Sequence, residues 1–324
     1  MYTPGVGMRV HTGCVFQQQH VIIFIMKHRV FNISLFVIYI TGMTGLMIWQ
    51  GIGIDPSRYA FIFLPAALIV KRTRSFLLDW IPFLFILLSY DFLRGFADNL
   101  NQRVHVLELI NWEKTLFEQI PTITLQNLFY SPSGTSWLDY FATMFYFLHF
   151  ALPLSFGFLL WMINRSYFKY FVTGILLLSY AGWITFLIYP AAPPWMAAEQ
   201  GYLSGVHKIL DVTLLTFPDK WNLPSVYHNF NPNPVAAMPS LHAGYPLLIL
   251  LFAIRFFKLK ALLFAPFVLG VWVSLVYLGE HYVVDIIGGA IYAVIFYFVS
   301  THIMHRIDWD KITRKVFQTA HDRI

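Results

Sequence analysis

Long apolar runs separated by small basic clusters constrain this chain more than any other feature of its sequence. Roughly 20 apolar residues cross a bilayer as a helix, and a helix satisfies its own backbone hydrogen bonds in hydrocarbon. Of the 324 residues, 58% are hydrophobic and 12% are charged, whereas soluble domains carry about 25% charged residues. The sequence therefore predicts an all-α integral membrane protein.

Eight apolar runs are candidates for membrane-spanning helices. They lie at 31–50, 59–70, 75–97, 136–163, 168–190, 240–256, 261–279 and 282–303. The second run is short and contains Pro65, so its hydropathy alone also fits a re-entrant segment. We expect a polytopic helical bundle of about eight spans.

Basic residues indicate the orientation of the bundle, because cytoplasmic loops are enriched in lysine and arginine. The clusters are Lys27 and Arg29; Lys71, Arg72 and Arg74; Arg165 and Lys169; Arg255, Lys258 and Lys260; and Arg306, Lys311, Arg314, Lys315 and Arg323. They share one side of the membrane only if the second run crosses it. We therefore expect both termini in the cytoplasm and the segments 51–58, 98–135, 191–239 and 280–281 on the extracytoplasmic or lumenal face.

The domain organisation follows from the same runs. We expect a cytoplasmic segment 1–30, a single transmembrane domain 31–303 with its core at 75–303, and a basic cytoplasmic tail 304–324. The net charge of +6 comes from clusters between spans and not from one continuous face, so it predicts no nucleic-acid partner. The sequence gives no indication of the oligomeric state.

The two long outer segments differ in character. Residues 104–117 place apolar side chains at helical spacing among Glu108, Glu113 and Lys114, which predicts a helix lying in the membrane interface. Residues 191–239 are rich in proline and have no strong periodicity, which predicts a structured loop.

Ionisable side chains at membrane depth are costly and therefore suggest a functional site. Asp91 and Arg94 lie at the outer end of the third predicted span. His242 lies at the outer start of the sixth, and His281 and Asp285 lie at the outer start of the eighth. Three spans thus bring two histidines, two carboxylates and an arginine to one depth on one face.

The spacing of these residues suggests acid–base chemistry. Asp285 follows His281 by four residues, so its carboxylate can orient the imidazole ring on one helical face. His242 is a candidate general acid, because an imidazole ordinarily titrates near neutral pH. Ser240 begins a helix whose free N–H groups can bind an anion. A phosphate group is the ligand that we expect there.

Each feature also has a structural explanation. Pro239 and Ser240 are common as plain helix caps, and Asp91 with Arg94 forms a tolerable intrahelical ion pair. Tyr189 and Trp195 fit the aromatic belt of any membrane protein. The occurrence of all these features at one depth and on one face favours a functional site.

Two other classes use the same residues. Buried charges can form the ion or proton relay of a transporter, but here they gather at one face, and the sequence has no repeated halves. His242, His281 and Asp285 also make a two-histidine, one-carboxylate metal set.

Two motifs carry a resemblance. Pro239-Ser240-Leu241-His242, followed by His281-Tyr-Val-Val-Asp285, resembles the second and third motifs of the type 2 phosphatidic acid phosphatase superfamily over about residues 136–303. The resemblance implies a six-helix lipid phosphatase-like core without metal or cofactor. It also implies that His281 attacks phosphorus to form a phosphohistidine, that Asp285 orients it, and that His242 protonates the leaving group.

The chain departs from the family's pattern at its cationic positions. Leu241 replaces the second-motif glycine, Leu275 follows Ser274 where the third motif has arginine, and the first motif, Lys, six residues, Arg-Pro, has no counterpart. In its place, the fifth span ends in Tyr189-Pro-Ala-Ala-Pro-Pro-Trp195. This segment resembles the inositol phosphorylceramide synthase branch, whose members move a phosphorylated head group between lipids.

The missing cations need a replacement, since a transferring phosphoryl group requires positive charge near its oxygens. Arg94, held by Asp91, is the first candidate, and Lys208 and Lys220 rank below it. We expect an enzyme that transfers an inositol phosphate-like head group from a phospholipid to an acceptor, which is either a lipid alcohol or a polyol. The alternative is a phosphatase acting on a lipid phosphate or a polyprenyl (pyro)phosphate.

Overall fold

The computed structural model describes residues 38–39, 41–43, 45–46, 56–69, 71–95, 100–101, 103–230 and 233–306. The chain divides into two units, Met1–Leu46 and Met47–Ile324. The described residues of the first unit are helical. Most of the predicted span at 31–50, the segment 1–30 and the tail beyond Arg306 lie outside the described residues.

The described part of the second unit is built of helices, which confirms the all-α prediction there. The helices are α1 Pro56–Ile69, α2 Thr73–Arg94, α3 Leu107–Phe117, α4 Pro121–Phe129, α5 Trp137–Ile163, α6 Arg165–Ile188, α7 Pro194–Glu199, α8 Ile209–Leu214, α9 Leu223–Phe230, α10 Leu241–Phe257, α11 Ala265–Tyr277 and α12 Val283–Arg306. Two 3-10 segments, Asp219–Trp221 and Lys258–Phe264, complete the set.

The long apolar helices make this an integral membrane protein. Among the described residues, α2, α6 and α12 are each long and apolar enough to cross a membrane. The two halves of α5 meet at a 48° bend and make a fourth span if they are counted together. The helices α1, α10 and α11 are shorter, at 14, 17 and 13 residues. In α11 this is because the 3-10 segment Lys258–Phe264 takes up the start of the run predicted at 261–279. The total of eight spans stays a prediction.

Side-chain caps set the boundaries of the two central helices. Ser136 and Asp139 form a capping box at the start of α5, in which Ser136 N–H donates to Asp139 Oδ2 at 2.6 Å. Asn164 Oδ1 accepts from Ser166 N–H at 2.8 Å and begins α6. Because the cap falls between the two helices, the apolar sequence from 136 to 190 is divided into two antiparallel elements.

Small residues bring α10 and α12 into close contact. A Cβ atom added at Gly289 would lie 2.0 Å from the carbonyl oxygen of Ser240, and one at Gly244 would lie 3.1 Å from the carbonyl oxygen of Gly289. Helix backbones approach this closely in membranes only where side chains are absent. The start of α10 is therefore fixed against the first two turns of α12.

The segment 191–239 is more helical than the sequence predicts. It contains α7, α8 and α9, each of only six to eight residues, which is too short for a helical period to be visible. Isolated bridges join Ala191 to both His105 and Ala236. These bridges connect the approach to α3, the end of α6 and the approach to α10 at one end of the bundle.

Candidate active site

The two predicted catalytic histidines lie side by side. His242 is the second residue of α10, and His281 precedes α12 by two residues. His242 Nδ1 and His281 Nε2 are 2.9 Å apart, and His281 is 3% exposed. If His281 carries its proton on Nδ1, His242 Nδ1–H donates to the free lone pair of His281 Nε2.

Asp285 lies on the other side of the His281 ring. Its Oδ2 is 3.5 Å from His281 Nδ1, which is an ion-pair contact and longer than a good hydrogen bond. The same Oδ2 accepts from Tyr282 N–H at 2.9 Å. Among the described residues, neither His281 Nδ1 nor Asp285 Oδ1 has a hydrogen-bond partner. The carboxylate is fully buried and faces the imidazole, which it can orient after a small shift.

Ser240 joins the two halves of the site. Its Oγ accepts from Ala243 N–H at 3.3 Å and caps α10, while its own N–H donates to the carbonyl oxygen of Asp285 at 2.9 Å. The side chain is thus committed to capping. What Ser240 offers a substrate is the positive first turn of α10.

A pocket of about 90 Å³ opens beside His242. Asp91, Arg94, His149, Tyr90 and Tyr245 contribute its other ionisable groups. Arg94 Nη2 contacts Asp91 Oδ1 at 3.2 Å, and the arginine side chain is 13% exposed. The rest of the lining is mainly apolar, including Phe83, Leu87, Leu88, Pro153, Leu154, Ile175, Phe186 and Leu241. The predicted Arg94–Asp91 pair therefore shares a cavity with the predicted acid.

His149 and Tyr146, which the sequence reasoning did not select, lie against His242. The His149 ring meets the His242 ring edge to face with centroids 4.2 Å apart, and the Tyr146 ring lies 5.1 Å from it. His149 Nδ1 is hydrogen-bonded to the carbonyl oxygen of Tyr146. An ionisable residue inside the apolar run 136–163 was the signal that could have identified it.

Glu280, immediately before His281, was also missed. The hydroxyl of Tyr227 donates to both of its carboxylate oxygens, at 3.0 and 3.2 Å. Burial raises the pKa of Glu280 to about 7, although the nearby Lys208 ammonium opposes this shift. Lys208 Nζ lies 4.0 Å from the centroid of the Trp195 ring and 3.1 Å from Asp211 Oδ2.

Tyr189 and Trp195, which the sequence predicts to bind substrate, do not line the pocket. Trp195 N–H donates to the carbonyl oxygen of Gly279 at 3.1 Å. The Tyr189 ring stacks on His105 with centroids 3.8 Å apart. The side chain of Lys220 lies outside the described part of the chain. Across the described ranges, no three histidine, cysteine, aspartate or glutamate side chains are grouped so that they could hold a metal ion.

Comparison with known proteins connects this geometry to a family. A sequence model of the PAP2 superfamily matches residues 107–299, a range that holds His242, His281 and Asp285 but not Arg94. No solved structure matches the chain.

Three curated relatives share part of the sequence. The phosphoinositol dihydroceramide synthase of Bacteroides thetaiotaomicron is 28% identical over 233 residues, which are 67% of this chain and 74% of that protein. The catalytic subunit of inositol phosphorylceramide synthase of Saccharomyces cerevisiae is 32% identical over 132 residues, 36% of this chain and 30% of the yeast protein. The inositol phosphorylceramide synthase of Candida albicans is 29% identical over 119 residues, 32% of this chain and 23% of its own length.

Proposed function

The chain belongs to the PAP2 superfamily, and on that premise we propose that this membrane enzyme transfers a phosphorylated polyol head group from a phospholipid to a lipid alcohol. Its membership makes it a lipid phosphotransferase or phosphatase. The observation that carries the proposal is the contact of 2.9 Å between His242 Nδ1 and His281 Nε2, with Asp285 behind His281. The proposed nucleophile and the proposed proton donor are thus in direct contact.

In the first half-reaction, His281 Nε2 attacks the phosphorus of the donor lipid. The bond between phosphorus and the oxygen of the lipid alcohol breaks, and His242 gives its proton to that leaving oxygen. The head group remains bound to His281 through a P–N bond. Asp285 stabilises the positive charge that develops on the imidazole ring.

In the second half-reaction, the hydroxyl group of the acceptor lipid attacks the same phosphorus. His242, now neutral, takes the hydroxyl proton as general base, and His281 Nε2 leaves with its electron pair. The product is a new phosphodiester, and both histidines return to their first protonation states.

Two features of the site supply positive charge to the phosphoryl oxygens. Arg94 reaches the pocket that His242 lines, and its planar guanidinium can hold two oxygens at once. The first turn of α10, capped by Ser240, adds N–H donors. Asp91 holds Arg94 in place at 3.2 Å.

The head group is a polyol such as inositol, and the acceptor is a ceramide-like lipid alcohol. The names of the three relatives specify phosphoinositol or inositol phosphoryl groups and ceramides. The apolar pocket lining suits an acyl chain that enters from the side. We assign Trp195, with Lys208 at 4.0 Å over its ring, and Tyr189 to the part of the head group that extends beyond the pocket.

Transfer is favoured over hydrolysis by the burial of the catalytic pair. His281 is 3% exposed and Asp285 is fully buried. A phosphohistidine held at this depth is shielded from water, so an acceptor with its own lipid anchor reaches it more readily.

We place this reaction on the extracytoplasmic or lumenal face of an eight-span protein with both termini in the cytoplasm. The support is the alternation of basic clusters with apolar runs. The site lies at the opposite end of α12 from Arg306, which is the last residue of the helix and the first arginine or lysine of the C-terminal basic cluster.

The test is a turnover assay with purified protein in detergent. A panel of phospholipid donors, with and without ceramide, diacylglycerol or free inositol, is followed for free phosphate and for new phospholipid. We expect new phosphodiester that depends on a lipid alcohol and disappears in His281→Ala. Free phosphate alone would establish a phosphatase, and no turnover of any lipid would favour the transporter class.

A further inference from the structure

Glu113 is a fully buried carboxylate at the junction of α3 and α12. It is 0% exposed, although other positions of α3, at Leu107, Trp112 and Leu116, leave apolar side chains exposed. The sequence suggests a polar-face residue at this position, but the helix instead turns Glu113 inward. Its Oε1 accepts a hydrogen bond from Val283 N–H, across 170 residues of sequence.

Two carboxylates divide the first N–H groups of α12 between them. Tyr282 N–H donates to Asp285 Oδ2 at 2.9 Å, and the next N–H, that of Val283, donates to Glu113. Free N–H groups at a helix start attract any nearby anion. Because Glu113 occupies the N–H of Val283, Asp285 is left with a single backbone donor, and its second oxygen has no hydrogen-bond partner among the described residues.

The charge on Glu113 is costly to the fold. Burial, with a smaller contribution from the neighbouring Asp285 carboxylate, raises its pKa to about 7, against the hydrogen bonds from Val283 and Val284. The other titratable group facing it is Tyr282. A raised pKa means that the folded protein binds the proton more tightly, so the free energy of unfolding falls as pH rises from about 4.5 to 7. A neutral side chain here would suit stability better.

We propose that the ionised carboxylate of Glu113 is a positioning residue, which holds the start of α12 so that Asp285 faces His281 and which ties the interfacial helix α3 to this pair. The inference rests on the proposed function, since it assigns Glu113 a part in the same reaction. Glu113 acts through Asp285 and does not touch the substrate.

The test compares Glu113→Gln with Glu118→Gln, which removes the same charge from the exposed end of α3. Head-group transfer and thermal unfolding are measured from pH 5.5 to 8.5, with His281→Ala as the inactive reference.

At pH 8.5 we expect kcat of Glu113→Gln to be about tenfold lower than wild type, within the range for a misplaced catalytic group, with KM little changed. At pH 5.5, where wild-type Glu113 is itself protonated, the kcat ratio should approach one. The Tm of Glu113→Gln at pH 8.5 should equal or exceed that of wild type.

Other outcomes overturn the inference. A ratio of kcat values that does not change with pH, or a Tm of Glu113→Gln that falls together with its activity, would make Glu113 a structural residue only. Activity of Glu113→Gln equal to that of Glu118→Gln at every pH would remove its role altogether. A wild-type protein that turns over no lipid overturns the proposed function as well, whereas the preceding results overturn this inference alone.

Discussion

His242 Nδ1 and His281 Nε2 are separated by 2.9 Å, a hydrogen-bond distance that leaves no space for a phosphorus atom between them. With the proton of His281 on Nδ1, the lone pair that attacks phosphorus therefore accepts a hydrogen bond from the proton donor of the same reaction. Binding of the phosphate must separate the two rings. The acid then faces the leaving oxygen with its proton already in place.

Loss of the acid should depend on the leaving group. Replacing His242 with alanine should lower kcat for a diacyl phospholipid donor about a hundredfold or more, the usual contribution of a general acid. A donor with a nitrophenol leaving group needs little protonation, so its burst of released nitrophenol should be far less affected. Equal losses for the two donors would contradict the assignment of His242 as acid.

Arg94 should bind the phosphoryl group through the geometry of its guanidinium as well as its charge. Arg94→Lys should therefore recover only part of the loss seen in Arg94→Gln, for which we expect kcat/KM to fall about a hundredfold. Arg103, an exposed arginine outside the pocket, provides the control Arg103→Gln. Lipid turnover is measured for Arg94→Lys, Arg94→Gln and Arg103→Gln. An Arg94→Gln variant as active as the control would show that Arg94 does not bind the phosphoryl group.

Glu280 should make stability depend on pH. Because burial raises its pKa to about 7, the folded protein holds its proton more tightly than the unfolded chain, and stability from this group is lost as pH rises through 7. Glu280→Gln removes that dependence. The Tm difference, Glu280→Gln minus wild type, should thus be more positive at pH 8.5 than at pH 5.5. Thermal unfolding at the two pH values measures it, and a difference independent of pH would be inconsistent with a buried, titrating carboxylate.

Close packing of α10 on α12 should make Gly289 intolerant of any side chain. The added Cβ of Gly289→Ala would meet the carbonyl oxygen of Ser240 at 2.0 Å, so α10 must shift and carry His242 away from His281. We expect a lower Tm, by an amount equivalent to about 1–3 kcal/mol, and loss of turnover. Gly134→Ala, with no atom within 4 Å of its added Cβ, is the matched control. Similar Tm values for the two variants would show that the contact can relax.

Local sequence was enough to find residues whose chemistry is unusual for their depth. His242 and Asp285 are ionisable groups near the ends of apolar runs, and Ser240 precedes a run at a position typical of caps. The helix Leu241–Phe257 falls within one residue of the predicted run at its two ends. These features depend on hydropathy and short spacing, which a sequence displays directly.

Residues whose role depends on distant partners could not be found in this way. Glu113 looks like the polar face of an amphipathic helix, and only its contact with Val283 identifies it as a cap. Glu280 is identified as a buried, hydrogen-bonded carboxylate only by its contact with Tyr227, 53 residues earlier. The sequence does not fix the number of spans for a related reason, since α11 is shorter than its apolar run and is joined to α10 by a 3-10 segment.

The most direct test of the central claim is to trap the head group on His281. The purified enzyme is mixed with a phospholipid donor labelled in its polyol, without acceptor, and quenched at alkaline pH, because P–N bonds are labile to acid. We predict label on the peptide that contains His281, its release as a labelled new lipid when a ceramide-like alcohol is added, and its absence in His281→Ala. Labelled product formed by His281→Ala at the wild-type rate, or formed by wild type without any labelled peptide, would contradict a phosphohistidine at this position.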